Sequence, residues 1–183
     1  QLEDLLALGL EADPRQVLAV EVLLLRAHAA DVEGELLAER AAQRAGAIKD
    51  EKERLRVLTS NVKGLARFFW FTVEFGLMRE KPGTPIASGG VRAYGSGLLS
   101  SYSELQHCVE SPEVQRVPAQ TEWIINQYFE IHHFQPLLFV IEDFEHLFYL
   151  VHDLEKRLDA GLLDNLQPGE PEVNEVDLKS FLD

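Results

Sequence analysis

The chain has 183 residues, 46% of them hydrophobic, and a formal net charge of −14, which suits one globular domain, or most of one, with a sizeable core. No basic stripe is present to neutralise phosphates, so nucleic acid is excluded as a partner. The longest apolar run, VLAVEVLLLRAHAA, contains Glu21 and Arg26 and is too short and too charged to span a bilayer. The single cysteine, Cys108, excludes an internal disulfide framework and is compatible with a reducing compartment, and cytoplasmic is the default expectation.

The chain opens on QLEDLLALGL, already amphipathic and without methionine, and that beginning reads as an interior point of a longer protein. Residues 1–66 are rich in Ala, Leu, Glu and Arg, strong helix formers. Asp13–Pro14 fits an N-cap followed by proline at the first helical position. The helix begun there is expected to stop at Gly46. A second helix starts near Asp50 and continues through LRVLTSNVKGLARFFWFTVEFGL, with interruptions expected near Ser60 and Gly64.

After Leu77 the character changes. EKPGTPIASGG reads as a loop, and VRAYGSGLLSS as a short strand followed by a glycine-dependent turn. Ser101 and Glu104 have capping-box spacing, which predicts a short helix over SYSELQHCV. YFEIHHFQPLLFVI is aromatic and β-branched and predicts extended structure around Pro136. An amphipathic helix follows Asp143, with Phe144, Leu147, Phe148, Val151, Leu154 and Leu158 at helical spacing and Gly161 as its end. The fold class expected is mainly α with a small β component of short strands or a hairpin.

Glu74 stands in the middle of the apolar run RFFWFTVEFGL. An ionised carboxylate buried alone is very unfavourable, so it must shift its pKa, find a donor or cation, or coordinate a metal. From this residue alone a buried carboxylate satisfied by Arg, Tyr or backbone donors is a better reading than a ligand. YGSGLLSS is equally ambiguous: Gly95 and Gly97 can serve a tight turn, Ser100 or Ser101 can cap a helix, and the spacing is neither a dinucleotide nor a P-loop fingerprint. His28, His132, His133, His146 and His152 are better explained structurally, since adjacent histidines in a strand face opposite ways. Cys108 has no neighbouring base that would make it a nucleophile.

Three stretches in order, RFFWFTVEFGL, AYGSGLLSSYSELQHCV and FQPLLFVIEDFE, resemble the biopterin-dependent aromatic amino acid hydroxylases. The resemblance covers about Leu65 to Leu154. It implies a C-terminal piece of a catalytic domain, divided into a helical part (1–66), a motif core (67–160) and an acidic tail (161–183). It also implies a mononuclear iron monooxygenase that uses Fe(II), tetrahydrobiopterin, O2 and an aromatic amino acid, with phenylalanine to tyrosine the commonest reaction. Glu74 matches the carboxylate of the two-histidine, one-carboxylate iron site. Trp70, Gly97 and Ser100 match positions lining the substrate, and Phe69 and Phe129 match positions backing them. Phe69 stands where animal members carry tyrosine.

The family's His-Glu-Leu-Leu-Gly-His-type segment, which carries both iron histidines, is missing from these residues. This chain alone is therefore expected to be inactive, and no residue is assigned a catalytic role beyond the metal ligand. The alternative is a non-catalytic binding or scaffold protein on the same fold. The animal-type tetramerisation helix is not recognisable, and oligomeric state stays open.

Overall fold

The structure is a computed structural model, and it describes residues 36–87, 90–129 and 133–169. These belong to one compact unit, Glu33–Asp183. The helix start expected at Asp13–Pro14, His28, His132 and most of the acidic tail lie outside the described residues.

Helix α1 covers residues 36–46 and ends where Gly46 stands. Gly46 has no positive φ. The helix closes instead by tightening, with Ala47 N donating to Arg44 O (3.2 Å) and Ile48 N to Ala45 O (2.9 Å). Helix α2, Glu51–Phe69, is capped by the Asp50 carboxylate, which accepts from Glu53 N at 2.8 Å. The interruptions expected near Ser60 and Gly64 do not occur. Both residues instead form a seat for the chain beyond the last helix. The Ser60 hydroxyl donates to Leu163 O (2.6 Å) and accepts from Leu166 N (2.9 Å). A Cβ on Gly64 would lie 2.5 Å from Leu166 Cδ1 and 3.2 Å from Leu163 Cδ2, so a larger residue there would force those leucine side chains to shift.

Helix α2 runs directly into one π-helical turn, Trp70–Glu74. Strand β1 (Leu77–Arg79) follows, then β2 (Val91–Ala93), α3 (Ser96–Ser100), α4 (Tyr102–Glu110), β3 (Gln115–Pro118), α5 (Thr121–Asn126), β4 (Leu137–Ile141) and α6 (Phe144–Asp159). The strands form a mixed sheet in the order β2-β1-β4-β3. Only β1 and β2 pair antiparallel, Met78 opposite Arg92; β4 is parallel to β1 on one side and to β3 on the other. Mainly helical with a small sheet is the class the sequence predicts. Strands β1 and β3 were not foreseen, because parallel partners more than 20 residues away leave no local turn signal.

Strand β4 reads LLFVI with its last four residues buried, as expected of a central strand covered on both faces. Leu77, Leu138, Phe68, Phe71, Ile124 and Leu154 are among the residues at the centre of the core. Inside it, the fully buried Arg67 donates to Ile125 O (3.0 Å) and Gly169 O (3.3 Å), joining α2 to the end of α5 and to the C-terminal segment. Burial pulls its guanidinium pKa down.

Two details of the sequence reading are corrected. Ser101 does precede α4, but its hydroxyl makes no capping bond and lies instead 3.5 Å from Ser103 Oγ. On α6, capped by Asp143 Oδ1 accepting from His146 N (2.8 Å), the buried stripe runs through Leu150, Leu154 and Leu158. Phe148 is 47% exposed while Leu150, which the pattern omitted, is 6% exposed. The face is rotated so that Phe148 lies at its rim. Gly161 ends the helix as expected, at φ 75°.

Candidate functional site

Glu74 is the last residue of the π-helical turn, and its side chain is exposed rather than buried. The expectation of a buried carboxylate is therefore corrected. The apolar run around it divides between inward neighbours, Phe71 and Phe75, and an outward face from which Glu74 projects. The wider turn accounts for this division: Phe75 N reaches back five residues to Trp70 O (2.8 Å), so the residues after Trp70 leave the α-helical phase. Such turns are frequent at functional sites. Thr72, fully buried within it, donates its hydroxyl to Phe68 O at 2.6 Å and steadies the join with α2.

The segment from Tyr94 to Gly97 lies against this turn. Tyr94 N and Gly95 N both donate to Gly76 O (3.0 and 3.1 Å), and Ser96 Oγ donates to Val73 O (3.4 Å). The approach is too close for side chains. A Cβ on Gly95 would collide with the Glu74 carbonyl and Gly76 N, and one on Gly76 with the Thr72 carbonyl and the Tyr94 ring. Gly95 has an ordinary φ of −65°, so it is glycine because of contact and not because of conformation. At Gly97 the neighbour is the Glu74 carboxylate itself, whose Oε2 would lie 3.0 Å from an added Cβ.

Two of the residues matched from sequence thus meet, Glu74 over Gly97. Two others meet nearby: the half-buried Trp70 ring is stacked between Phe75 (centroids 4.6 Å apart) and Phe129 (4.2 Å). Ser100 is exposed, and its hydroxyl donates to Gly97 O at 2.7 Å, within α3. Phe69 is half-buried and edge-on to Phe68, and no contact brings it to Glu74. Sequence reading missed Thr72, Phe75, Gly76 and Tyr94; the glycines at 76, 95 and 97 were the available signal.

Polar groups here are unmatched. Among the described residues the Glu74 carboxylate has no hydrogen-bond or ion-pair partner, and neither has Trp70 Nε1 or the Tyr94 hydroxyl, both buried. Burial raises the Tyr94 phenol well above its ordinary range. The Cys108 thiol is pushed up to about 12, chiefly by burial and then by the Glu104 carboxylate, so it stays protonated at neutral pH and is no nucleophile.

An exposed, unpaired carboxylate fits one position of an iron site. The rest of such a site is not found: among the described residues no three His, Cys, Asp or Glu side chains are grouped to hold a metal. His146 accepts from Glu142 N at Nδ1 (3.2 Å), His152 lies 3.1 Å from Glu155, and His107 stacks on Phe134. These histidines serve local structure. No described helix is long and apolar enough to cross a membrane.

The family model for biopterin-dependent aromatic amino acid hydroxylases matches residues 53–170. A probable aromatic amino acid hydroxylase of Chlamydia pneumoniae is 37% identical over 120 residues, 66% of this chain and 31% of that protein. Phenylalanine-4-hydroxylase of Chromobacterium violaceum is 44% identical over 84 residues, 46% of this chain and 26% of that one. A crystal structure of the Chromobacterium violaceum phenylalanine hydroxylase with bound oxidised Fe(III) aligns with a TM-score of 0.50 at 30% identity, covering 67% of this chain and 45% of that one. The matched stretch thus spans less than a third of either curated relative. With the family model covering the π-helical turn, the glycine segment and β4 together, the chain belongs to the biopterin-dependent aromatic amino acid hydroxylase family.

Proposed function

We propose that this chain is the C-terminal part of the catalytic domain of a cytoplasmic, iron- and tetrahydrobiopterin-dependent monooxygenase. Its substrate is an aromatic amino acid, with phenylalanine to tyrosine the favoured reaction. The observation that carries this reading is the unpaired Glu74 carboxylate, held over Gly97 by two segments of the family's matched region. Iron and pterin, when bound, activate O2 toward the substrate ring. This chain's own part is to supply one carboxylate ligand from Glu74 and to shape an apolar wall from Trp70, Phe75 and Phe129. Gly97 borders the same region through Phe75, and the Ser100 hydroxyl donates to the Gly97 carbonyl. A wall of stacked rings excludes water and orients an aromatic side chain.

The 183-residue chain alone is proposed to be inactive, since a divalent metal needs several ligands to compete with water and Glu74 is one. The experiment is pterin-dependent hydroxylation of phenylalanine, tyrosine and tryptophan, assayed for the full protein and for this chain. Turnover by the full protein and none by the chain is expected. Turnover by the chain alone would overturn the assignment of an incomplete site. A full protein that binds neither iron nor pterin would favour the alternative reading, a non-catalytic binding protein on the same fold.

A further inference from the structure

Beyond α6 the chain turns back along helix α2. Ser60, Gly64 and Arg67, one turn apart on α2, meet it in order. The Ser60 hydroxyl binds Leu163 O and Leu166 N, the bare Cα of Gly64 lies under Leu163 and Leu166, and Arg67 donates to Gly169 O at 3.3 Å. Lys63 Nζ donates to the same Gly169 oxygen at 2.9 Å. The segment also reaches α5, where Gln167 N donates to Asn126 Oδ1 (3.2 Å). Gly169 has φ 123°, which an L side chain rarely adopts, and a Cβ there would lie 3.2 Å from Tyr128 Cβ. Residues 163–169 thus form a strap across both helices, and it closes on Tyr128.

The anchors of the strap stand beside the two halves of the aromatic stack. Arg67 lies one turn before Trp70, and its guanidinium also donates to Ile125 O (3.0 Å), at the end of α5. Asn126 is the last residue of α5, and the chain that follows carries Tyr128 and Phe129, which belong to no helix or strand. Phe129 is nevertheless 7% exposed, and its ring lies 4.2 Å from that of Trp70 at an angle of only 9°. We propose that the strap is a positioning device for this stack. By closing over Tyr128 with its Gly169 carbonyl bound by Lys63 and Arg67, it sets how the Phe129 ring faces Trp70, and so the fit of an aromatic side chain. The part played in substrate fit rests on reading the stacked rings as a wall for that side chain. The effect on ring geometry precedes any metal or ligand.

The test uses the full protein labelled with fluorotryptophan, the Trp70 fluorine signal being assigned by its loss in Trp70→Phe. Gly169→Ala and Lys63→Ala are expected to move that signal in the absence of any ligand. Both are expected to weaken phenylalanine binding by about fivefold, the low end of coupling between linked sites. Val91→Ala, a core truncation on strand β2 remote in sequence from the strap, is expected to lower Tm and leave the Trp70 signal in place. A Trp70 signal that stays at its wild-type position in both strap variants overturns the proposal, and so does one moved as far by Val91→Ala. If Phe129→Ala still weakens phenylalanine binding in either case, the wall reading stands. Unchanged phenylalanine binding in Phe129→Ala removes the wall reading itself, and the proposal with it. Should Gly169→Ala not fold, Lys63→Ala decides alone.

Discussion

Two ends of helix α2 are built on opposite terms. At its N-terminal end, α2 and α1 meet α6 and the chain's last described segment through a network of ion pairs and hydrogen bonds. Arg40 bridges Glu155 (3.0 Å) and Asp159 (2.7 Å), Arg44 reaches Asp164 (3.0 Å) and Asp159 O (2.8 Å), and Arg56 binds Glu53, Asp164 O and Asn165. Among the described residues two buried nitrogens there lack a partner, Nε of Arg44 and Nε of Arg54, so the ends differ in their ion pairs and not in the number of buried atoms left over. At the C-terminal end the helix widens into a π-helical turn, and Glu74, Trp70 Nε1 and the Tyr94 hydroxyl have no partner among the described residues. The difference teaches where stability is made and where it is withheld. The contrast lies in the charged groups: the arginines at one end are paired, and the Glu74 carboxylate at the other is not.

The comparison breaks most sharply at Glu74. In the full protein, Glu74→Ala is expected to abolish hydroxylation and to deplete iron, while the melting temperature stays within a few degrees, because an exposed carboxylate without partners contributes nothing to folding that its loss could remove. Turnover, iron content and a thermal melt check this together. A variant with full turnover would reduce Glu74 to an ordinary surface residue.

The largest stability effect belongs to the other term of the comparison. Leu154, fully buried on α6, is expected to lose about 2–5 kcal/mol on truncation to alanine through transfer and cavity costs. Phe148→Ala is expected to lose much less, since Phe148 is 47% exposed at the rim of the same helix. Denaturant melts of the two variants settle the order, and a larger loss at Phe148 would place the buried face of α6 elsewhere.

Removing one end group sharpens the contrast further. Asp143→Ala takes away the acceptor for His146 N and is expected to lose about 0.5–2 kcal/mol. Amide exchange in the first turn of α6 should rise with it, and protection unchanged from wild type would show that the cap is redundant.

The smallest effect is at the sheet. Arg79 donates to both oxygens of Glu142 (2.6 and 2.8 Å), and this hydrogen bonding holds the Glu142 pKa below the ordinary carboxylate range. The folded value is the depressed one, so the bridge's contribution is complete above the ordinary carboxylate pKa and fades as pH falls through the lowered value. Glu142 is 49% exposed, and solvent screening keeps the contribution under about 1 kcal/mol. Arg79→Gln should return Glu142 to its ordinary titration, read by NMR. A Glu142 that titrates as before would show that the bridge does not persist in solution.

Much of this was written locally. Asp50 and Asp143 before apolar periodic runs announce two helix starts, because a short acceptor side chain satisfies amide groups that no helix can satisfy itself. Gly161 announces an end for the opposite reason, a left-handed residue that glycine alone adopts without strain. The motif stretches around Glu74 and Gly97 announced the family and named the residues that meet. Other features were beyond any local reading. The parallel pairing of β4 with β1 and β3 depends on partners brought from distant parts of the chain. Ser60 and Gly64 look like helix breakers until the segment at Leu163–Leu166 lies across them. Glu74 reads as buried from its neighbours alone, and a change of helical pitch at Trp70 turns it outward. Local sequence decides which groups must be capped, covered or turned; only the packing of remote segments decides which face of the helix is covered and which is left exposed.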